Sequence, residues 1–387
     1  MDAPGKSGLG SKMKSSLKKS LRFHFAGGGT GGHLFPALAL ADEINRRFPA
    51  AEITFWGTKR GIEAKIIPET AYKLEYIPVR GFQRRLTAGH LLFPFVLAAS
   101  VVKALRVFLK NRPKAVIGTG GYVSGPVVFS AWLLWIPVFI QEQNSYPGVT
   151  TRFLVHLAKR VYLTFEVSKE YFRNKRKLRI TGNPVRADLK RAEPEEARRH
   201  FGLTAGAPVL FVLGGSQGAR HVNWAVAKLL PELLKQTQVQ VLWSTGTVDY
   251  DGIRREFAQF QQVKVFAFIS EMPEAYAAAS LIVSRAGATT LAELAVCGLP
   301  SILIPYPYAA GGHQIFNARS FELEGAAVCL LEKDLTPNGL KKIILDLLED
   351  REKLEKMGLA ARKQAKPEAV KTIVDDIVSF LPKNVLL

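Results

Sequence analysis

Short apolar runs alternate with amphipathic stretches along most of the chain, which is typical of strands and helices that alternate in sequence. The apolar run Leu21–Ala26 predicts a buried strand, and Gly27–Gly32 predicts a glycine loop. The spacing of apolar residues from Pro36 to Arg47 predicts a helix. The same order returns in the second half of the chain, with a strand at Pro208–Leu213, a glycine loop at Gly214–Gly218 and a helix at Arg220–Leu234. The pattern therefore predicts two copies of one strand, glycine-loop and helix unit.

Further short apolar runs predict more strands in each half: Ile53–Trp56, Ala115–Ile117 and Pro137–Ile140, then Val239–Trp243, Val263–Phe266, Leu281–Val283 and Ser301–Ile304. Strands that alternate with helices pair in parallel, so the predicted fold class is α/β, with two Rossmann-like parallel-sheet domains. Ligands of such sheets bind at the carboxyl ends of the strands. Two such domains that face each other would therefore carry the glycine loops on the walls of an interdomain cleft.

The turn cluster Thr181–Pro184 marks the predicted boundary between the two halves. We expect residues 21–183 to form an N-terminal domain and residues 184–366 a C-terminal domain. Residues 367–387 have a helical pattern and are expected to pack back on the first domain. Residues 1–20 are rich in lysine and lack the apolar core of a signal peptide, which predicts a disordered basic arm.

Composition adds a strong charge to this picture. Among 387 residues, 53 Lys and Arg stand against 33 Asp and Glu, and a net charge of +20 favours anionic partners such as phosphates, acidic lipid or nucleic acid. Cys297 and Cys329 both lie in apolar runs, which favours a reducing compartment over a disulfide framework or a zinc site. The uncharged stretches 86–102 and 115–141 are interrupted by proline or glycine, so neither predicts a transmembrane helix.

The first glycine loop fits the dinucleotide fingerprint G-x-G-x-x-G between a strand and a helix. A dinucleotide site also needs an acidic residue at the end of the second strand, where this chain has Trp56–Arg60, so NAD is disfavoured and NADP stays open. His33 follows the loop at a helix N-terminus, where a neutral imidazole is favoured. His33 is therefore a candidate general base, and the alternative is that it only caps the helix.

The second glycine loop, Gly214–Ala219, opens a helix whose N–H groups and dipole can hold a diphosphate without a metal. Another helix opens in Arg285–Glu293, where Glu293 could accept hydrogen bonds from both hydroxyls of a ribose or could simply complement the helix dipole. The loop Gly311–Asn317 supplies amide and imidazole groups suited to sugar hydroxyls, or is a polar surface loop. The Asp249–Asp251 string is interpreted as a helix N-cap rather than a metal site.

Six motifs occur in an order that closely resembles the MurG family of glycosyltransferase family 28: Gly28–His33, Gly120–Pro126, Glu142–Asn144, Gly182–Arg186, Gly214–Ala219 and the helix that carries Glu293. The resemblance runs from about Leu21 into the last third of the chain. It implies a GT-B fold and an inverting transfer of N-acetylglucosamine from UDP-N-acetylglucosamine to the C4 hydroxyl of N-acetylmuramic acid in lipid I, which gives lipid II for peptidoglycan synthesis. It also implies a peripheral location on the cytoplasmic face of the inner membrane, with cell-wall synthesis proteins as candidate partners and no required cofactor or metal.

The resemblance also assigns roles to individual residues. Glu293 would hold the donor ribose, Ser216 and Arg186 the diphosphate region, and Gln314 and Asn144 the N-acetylglucosamine. The full donor set is Thr30, Gly31, Gly32, Asn144, Arg186, Ser216, Gln217, Gly218, Ile269, Thr289, Thr290, Glu293, His313 and Gln314. Thr30, His33 and Tyr122 would face the acceptor, with His33 as candidate base and Glu142 as its rival.

A lipid-linked acceptor requires a membrane-docking face. A helical pattern begins near Val101. One side of this helix is apolar and carries Val101, Leu105 and Phe108, while the opposite side is basic. The predicted docking residues are Arg84, Arg85, Leu91, Leu92, Phe93, Phe95, Lys103, Arg106 and Lys110. An ordinary core-facing helix with a solvated basic face is the alternative.

Three other functions compete with this interpretation. A related GT-B enzyme acting on diacylglycerol would differ in its acceptor, and an NADP-dependent oxidoreductase would bind nicotinamide but not UDP. The third competing function is nucleic-acid binding, which the basic cluster Arg173–Arg179 suggests. The cluster lacks interleaved aromatic residues for base stacking, so no nucleic-acid partner is expected.

Overall fold

The computed structural model describes residues 21–79, 92–189, 192–215 and 218–382. The predicted basic arm, the docking residues Arg84, Arg85 and Leu91, and the donor residues Ser216 and Gln217 lie outside these ranges. Within them, the chain forms two parallel sheets flanked by helices, and the predicted α/β fold class is confirmed.

The N-terminal sheet has the strand order β3-β2-β1-β4-β5-β6-β7, with every pairing parallel, in the described part of the chain. Its strands are β1 Arg22–Gly27, β2 Glu52–Gly57, β3 Lys73–Tyr76, β4 Ala115–Gly120, β5 Val138–Glu142, β6 Arg160–Leu163 and β7 Leu178–Ile180. The central strands are buried along their whole length, because helices cover both faces of the sheet.

The C-terminal sheet has the order β10-β9-β8-β11-β12-β13 and is also parallel throughout its described strands. Its strands are β8 Val209–Leu213, β9 Gln240–Ser244, β10 Val263–Phe266, β11 Leu281–Ser284, β12 Ser301–Leu303 and β13 Ala327–Cys329. Both sheets are therefore doubly wound, with the strand order reversing beside the first strand of each.

Helices connect the strands and close the chain. Those of the N-terminal half are α1 Gly31–Arg47, α2 Glu63–Ile66, α3 Phe93–Lys110, α4 Gly121–Leu133 and α5 Val149–Leu154. Those that follow are α6 Pro194–His200, α7 Arg220–Gln236, α8 Tyr250–Glu256, α9 Met272–Ala278, α10 Ala288–Cys297, α11 His313–Leu323, α12 Pro337–Glu349, α13 Arg351–Lys363 and α14 Ala369–Ser379. No helix in the described ranges combines the length and apolar character needed to cross a bilayer.

The last helix returns to the first domain. Ile373, Val374 and Ile377 of α14 are fully buried and belong to the same apolar cluster as strand β1. The phenol of Tyr162 donates to Asp376 over 2.8 Å and adds a polar contact between α14 and the N-terminal sheet. The chain thus leaves the N-terminal domain near Gly182 and comes back to it after α13.

These two crossings touch each other. Gly182 has a φ of 85°, and a Cβ placed on it would lie 2.3 Å from the Cβ of Lys366. Only glycine combines that backbone conformation with so close an approach. The outgoing and returning segments are therefore packed side by side.

Candidate active site

The topological switch point of each sheet lies where one glycine loop was predicted. In the N-terminal sheet, β1 and β4 are neighbours; residues 28–30 form the loop after β1, and β4 ends at Gly120, directly before α4. In the C-terminal sheet, β8 and β11 are neighbours, followed by Gly214 and Arg285. Ligands of doubly wound sheets bind in this crevice. The switch points thus coincide with the sequence motifs that we interpreted as binding loops.

His33 lies in the first turn of α1, which begins at Gly31 rather than at Pro36 as predicted. Thr30, exposed and extended (φ −143°, ψ 156°), occupies the N-cap position without a side-chain capping bond. The imidazole rests on the junction between β4 and α4, where a Cβ on Gly120 would lie 2.7 Å from Nδ1 of His33. Gly120 has a φ of 104°, so the chain both turns there and makes room for the ring.

The predicted acceptor-side residues lie together. The ring of Tyr122, in the first turn of α4, packs against the loop before α1, where a Cβ on Gly29 would lie 3.1 Å from it. Nδ1 of His33 is 2.9 Å from Oε1 of Gln143, at the end of β5. The structure thus brings Thr30, His33 and Tyr122 to one wall of the crevice.

Glu142, the rival base, is 2% exposed and uses both carboxylate oxygens on its own loop. Oε1 accepts hydrogen bonds from the backbone N–H and the side-chain amide of Asn144, at 3.0 and 3.1 Å. Oε2 accepts one from the N–H of Gly148 at 3.2 Å. These bonds assign Glu142 to holding Asn144 in place and leave His33 as the better-placed candidate base.

Sequence reasoning missed Glu63, a fully buried carboxylate at the start of α2. Its Oε2 accepts from the N–H of Gly29 at 2.9 Å, and its Oε1 accepts from the N–H and hydroxyl of Thr58 at 2.8 and 3.2 Å. Glu63 therefore ties the first glycine loop to the end of β2. The available sequence signal was an acidic residue in a short helix after a Gly-rich turn, which is common at ordinary helix starts.

On the opposite wall, α10 carries Thr289 and Thr290 in its first turn and Glu293 one turn further. The hydroxyl of Tyr276, a nearly fully buried side chain on α9, donates to Oε2 of Glu293 over 2.8 Å. Burial raises the pKa of Glu293 to about 7, although the Tyr276 hydrogen bond and the charge of Arg186 oppose the shift. Glu293 thus titrates near neutral pH, and its second oxygen is available for a ligand.

Three predicted donor residues have contacts that modify their expected roles. Arg186 forms a two-point ion pair with Asp188, at 3.1 and 2.7 Å, which holds its guanidinium beside the domain crossing. The side-chain oxygen of Gln314 accepts from the N–H of Tyr306 at 2.9 Å, which leaves its NH₂ group for a sugar. The side chain of Ile269 is 3% exposed in the C-terminal core, so only its backbone could contact a donor.

Asp249 occupies the N-cap position of α8, as predicted, but its side chain makes no capping hydrogen bond there. It accepts instead from the amide of Asn223 at 2.8 Å and lies 3.6 Å from Arg220, both on α7. Among the described side chains, no group of three or more His, Cys, Asp or Glu residues is arranged to hold a metal ion.

Hydrogen bonds join the two walls directly. The Thr289 hydroxyl donates to the carbonyl of Gly32 at 3.4 Å, and the amide of Asn183 donates to the Thr289 hydroxyl at 3.3 Å. The Ser145 hydroxyl, beside Asn144, donates to Oδ1 of the buried Asn317 on α11 at 2.9 Å. His313 begins that helix. The loops of the N-terminal sheet and the helices of the C-terminal sheet therefore meet at one place.

Helix α3 presents an apolar and basic surface to solvent. Of the predicted docking residues that are described, Leu92, Phe95, Arg106 and Lys110 are exposed, while Phe93 and Lys103 are half-buried. The buried side is formed by Ser100, Ala104 and Phe108, so Val101 and Leu105 are only partly covered. Sequence reasoning missed the neighbouring end of α4, which adds the exposed residues Trp132, Leu133 and Trp135. Trp135 is 91% exposed, at the turn that follows α4.

Comparison with known proteins identifies the family. Residues 23–163 match the N-terminal domain of glycosyltransferase family 28, and residues 209–373 match its C-terminal domain. The chain is 42% identical to a relative from Salinibacter ruber over 354 residues, which covers 92% of this chain and 95% of the relative. The chain belongs to glycosyltransferase family 28.

Other family 28 relatives agree. A protein from Chlorobaculum tepidum is 43% identical, over 92% of this chain and 98% of its own length. Both relatives are named UDP-N-acetylglucosamine–N-acetylmuramyl-(pentapeptide) pyrophosphoryl-undecaprenol N-acetylglucosamine transferase. The crystal structure of Acinetobacter baumannii MurG is similar at a TM-score of 0.71 and 29% identity, over 93% of this chain and 100% of that one. The fold is GT-B, the protein is a glycosyltransferase, and the oxidoreductase alternative is wrong.

Proposed function

We propose that this enzyme transfers N-acetylglucosamine from UDP-N-acetylglucosamine to the C4 hydroxyl of N-acetylmuramic acid in lipid I, with inversion, to give lipid II. One observation carries the proposal. The wall of the crevice that holds Glu293 meets the wall that holds His33, through the hydrogen bond from Thr289 to Gly32. The relatives' shared name supports the choice of donor and acceptor over a diacylglycerol glycosyltransferase.

The acceptor hydroxyl must lose a proton as its oxygen attacks the anomeric carbon of the donor, and the bond from that carbon to the UDP oxygen breaks. His33 takes this proton in our proposal, because its ring lies in the crevice while both oxygens of Glu142 are bonded to the loop. Tyr122 packs against Gly29 of the loop before α1, Thr30 occupies the N-cap position of the same helix, and both would contact the acceptor sugar.

The leaving UDP concentrates negative charge that the enzyme must stabilise. N–H groups at the starts of α7 and α10 are suited to this task, since helix N-termini bind anions. We propose that no metal ion is needed for it. Glu293 would accept hydrogen bonds from the ribose, and Gln314 and Asn144 would contact the N-acetylglucosamine.

Lipid I lies in a membrane, so the enzyme must dock on one. We propose that the exposed residues of α3 and the end of α4 bind the cytoplasmic face of the inner membrane, with Arg106 and Lys110 facing anionic lipid and Phe95 and Trp135 entering the interface. This surface is on the N-terminal domain, which also carries the acceptor wall.

The test is UDP release by the purified protein with UDP-N-acetylglucosamine and a lipid I analogue, with and without a chelator, beside a diacylglycerol acceptor. Release with the lipid I analogue alone, persisting in chelator, is the expected result. His33→Ala should lower kcat by about 10²- to 10⁴-fold, whereas His156→Ala, at an exposed site in the same domain, should not. Release only with diacylglycerol would change the acceptor, and wild-type turnover by His33→Ala would remove the base.

A further inference from the structure

A row of buried amide side chains leads away from His33. Nδ1 of His33 lies 2.9 Å from Oε1 of Gln143. The other end of that amide, Nε2, donates to the carbonyl of Thr119 at 2.7 Å and to the backbone and side-chain oxygens of Gln141. Because all three neighbours of Nε2 are carbonyl oxygens, which can only accept, the Gln143 amide has one satisfied orientation. Its Oε1 therefore points to His33.

The row continues in the same direction across the domain interface. Nε2 of Gln141 donates to Oδ1 of Asn183 at 3.1 Å, and Nδ2 of Asn183 donates to the Thr289 hydroxyl at 3.3 Å. That hydroxyl donates to the Gly32 carbonyl, one residue before His33. Gln141, Gln143 and Asn183 are each at most 2% exposed, so none can exchange its partner for bulk water. Burial makes each link costly to reverse.

The direction of this row decides which nitrogen of His33 carries the proton. Oε1 of Gln143 accepts and cannot donate, so the neutral imidazole is protonated on Nδ1. The lone pair then lies on Nε2, on the ring edge away from Gln143. The unconstrained ring would exchange between two tautomers, of which only this one has a basic Nε2.

We propose that Gln143 is a positioning residue that holds His33 as the Nδ1–H tautomer, so that Nε2 receives the proton of the acceptor hydroxyl. Its role in catalysis rests on the proposed function of His33, whereas the tautomer itself does not. When Nε2 takes the proton, the ring becomes an imidazolium, and the amide oxygen of Gln143 remains bonded to Nδ1–H. Gln143 thus serves the ring before and after proton transfer.

The experiment is a two-bond ¹H–¹⁵N spectrum of protein labelled with imidazole-¹⁵N histidine, at a pH where His33 is neutral. The chain has 7 histidines, and the signals of His33 are those lost in His33→Gln. We expect the Nδ1–H pattern in the wild-type protein. Gln143→Met removes the acceptor, so the Nε2–H pattern should appear and kcat should fall on the order of 10-fold or more, as for other imidazoles in the wrong tautomer. The KM for the donor should not change.

Two further variants separate positioning from folding. In Gln143→Glu, the carboxyl group is neutral when its oxygen beside the carbonyl oxygens carries a proton. Its other oxygen still accepts from Nδ1–H, so this variant should retain the wild-type tautomer. Ser130→Ala removes another buried side-chain hydrogen bond of the same domain, to the Pro126 carbonyl at 2.7 Å, and should change neither tautomer nor kcat. An Nε2–H pattern in the wild-type protein, or an Nδ1–H pattern that survives Gln143→Met, overturns the proposal. If the tautomer responds to Gln143 but His33→Gln turns over normally, positioning stands and the base assignment fails.

Discussion

Ionisation of the buried Glu293 side chain should destabilise the folded protein. Burial raises the pKa of this carboxyl from 4.5 to about 7. At 1.36 kcal/mol per pKa unit, the ionised side chain costs about 3 kcal/mol above pH 7, and this cost vanishes below pH 4.5. The sign follows from the raised pKa, since the folded state binds more protons between these limits and loses stability as the pH rises. Glu293→Gln cannot ionise and should escape the cost.

Thermal unfolding of Glu293→Gln and wild type between pH 5 and 8.5 measures the effect. The Tm of the variant should exceed that of the wild type by roughly 6–12 °C at pH 8 and by far less at pH 5. Glu256→Gln removes an exposed carboxylate of the same domain and serves as the control. A Tm difference that does not depend on pH would refute the reasoning. Binding of UDP-N-acetylglucosamine at pH 8 should weaken on the order of 10²-fold in Glu293→Gln, since charge-assisted hydrogen bonds to the ribose are lost.

Three other changes test separate parts of the structure. Tyr276→Phe removes a hydrogen bond that lowers the pKa of Glu293, so the loss of donor binding on acidification should begin at a higher pH, as calorimetric titration at several pH values would show. Glu63→Gln should destabilise the N-terminal domain by about 1–3 kcal/mol, because an NH₂ donor replaces one of the two oxygens that accept from Gly29 and Thr58, and an unchanged urea midpoint would contradict that account. Replacing Phe95 and Trp135 together by Ser should lower sedimentation with anionic vesicles on the order of 10-fold while UDP binding stays the same, and equal binding to vesicles would exclude this docking surface.

The sequence predicted the glycine loops from local patterns, whereas several strands and the start of α1 depend on contacts that local patterns do not show. Glycine loops between apolar runs are local patterns, and they lie at the switch points of both sheets. Strands β3, β6, β7 and β13 were not predicted, and three of them, β3, β7 and β13, lie at sheet edges, where only one neighbouring strand pairs with each. The start of α1 was placed too late since glycines disfavour helices, although here their N–H groups form its first turn.

The same distinction applies to the site. His33 and Glu293 lie in recognisable local motifs, and the structure places both on the crevice. Glu63 contacts a glycine 34 residues away, and Gln143, although it lies in the Glu142–Asn144 motif, contacts a histidine 110 residues away, so their partners could not be predicted from the local sequence. Trp135 was missed for a different reason, since an apolar residue after an apolar helix predicts burial rather than 91% exposure.

The contact between Gly182 and Lys366 has a mechanical consequence. Within the described residues, the chain passes between the domains twice, and the two connecting segments run side by side at that contact. Two adjacent tethers resist twisting and sliding but permit rotation about the line that joins them. We therefore expect the crevice to open for a nucleotide sugar mainly by rotation about that line. Each closure would return His33 and Glu293 to the same relative position.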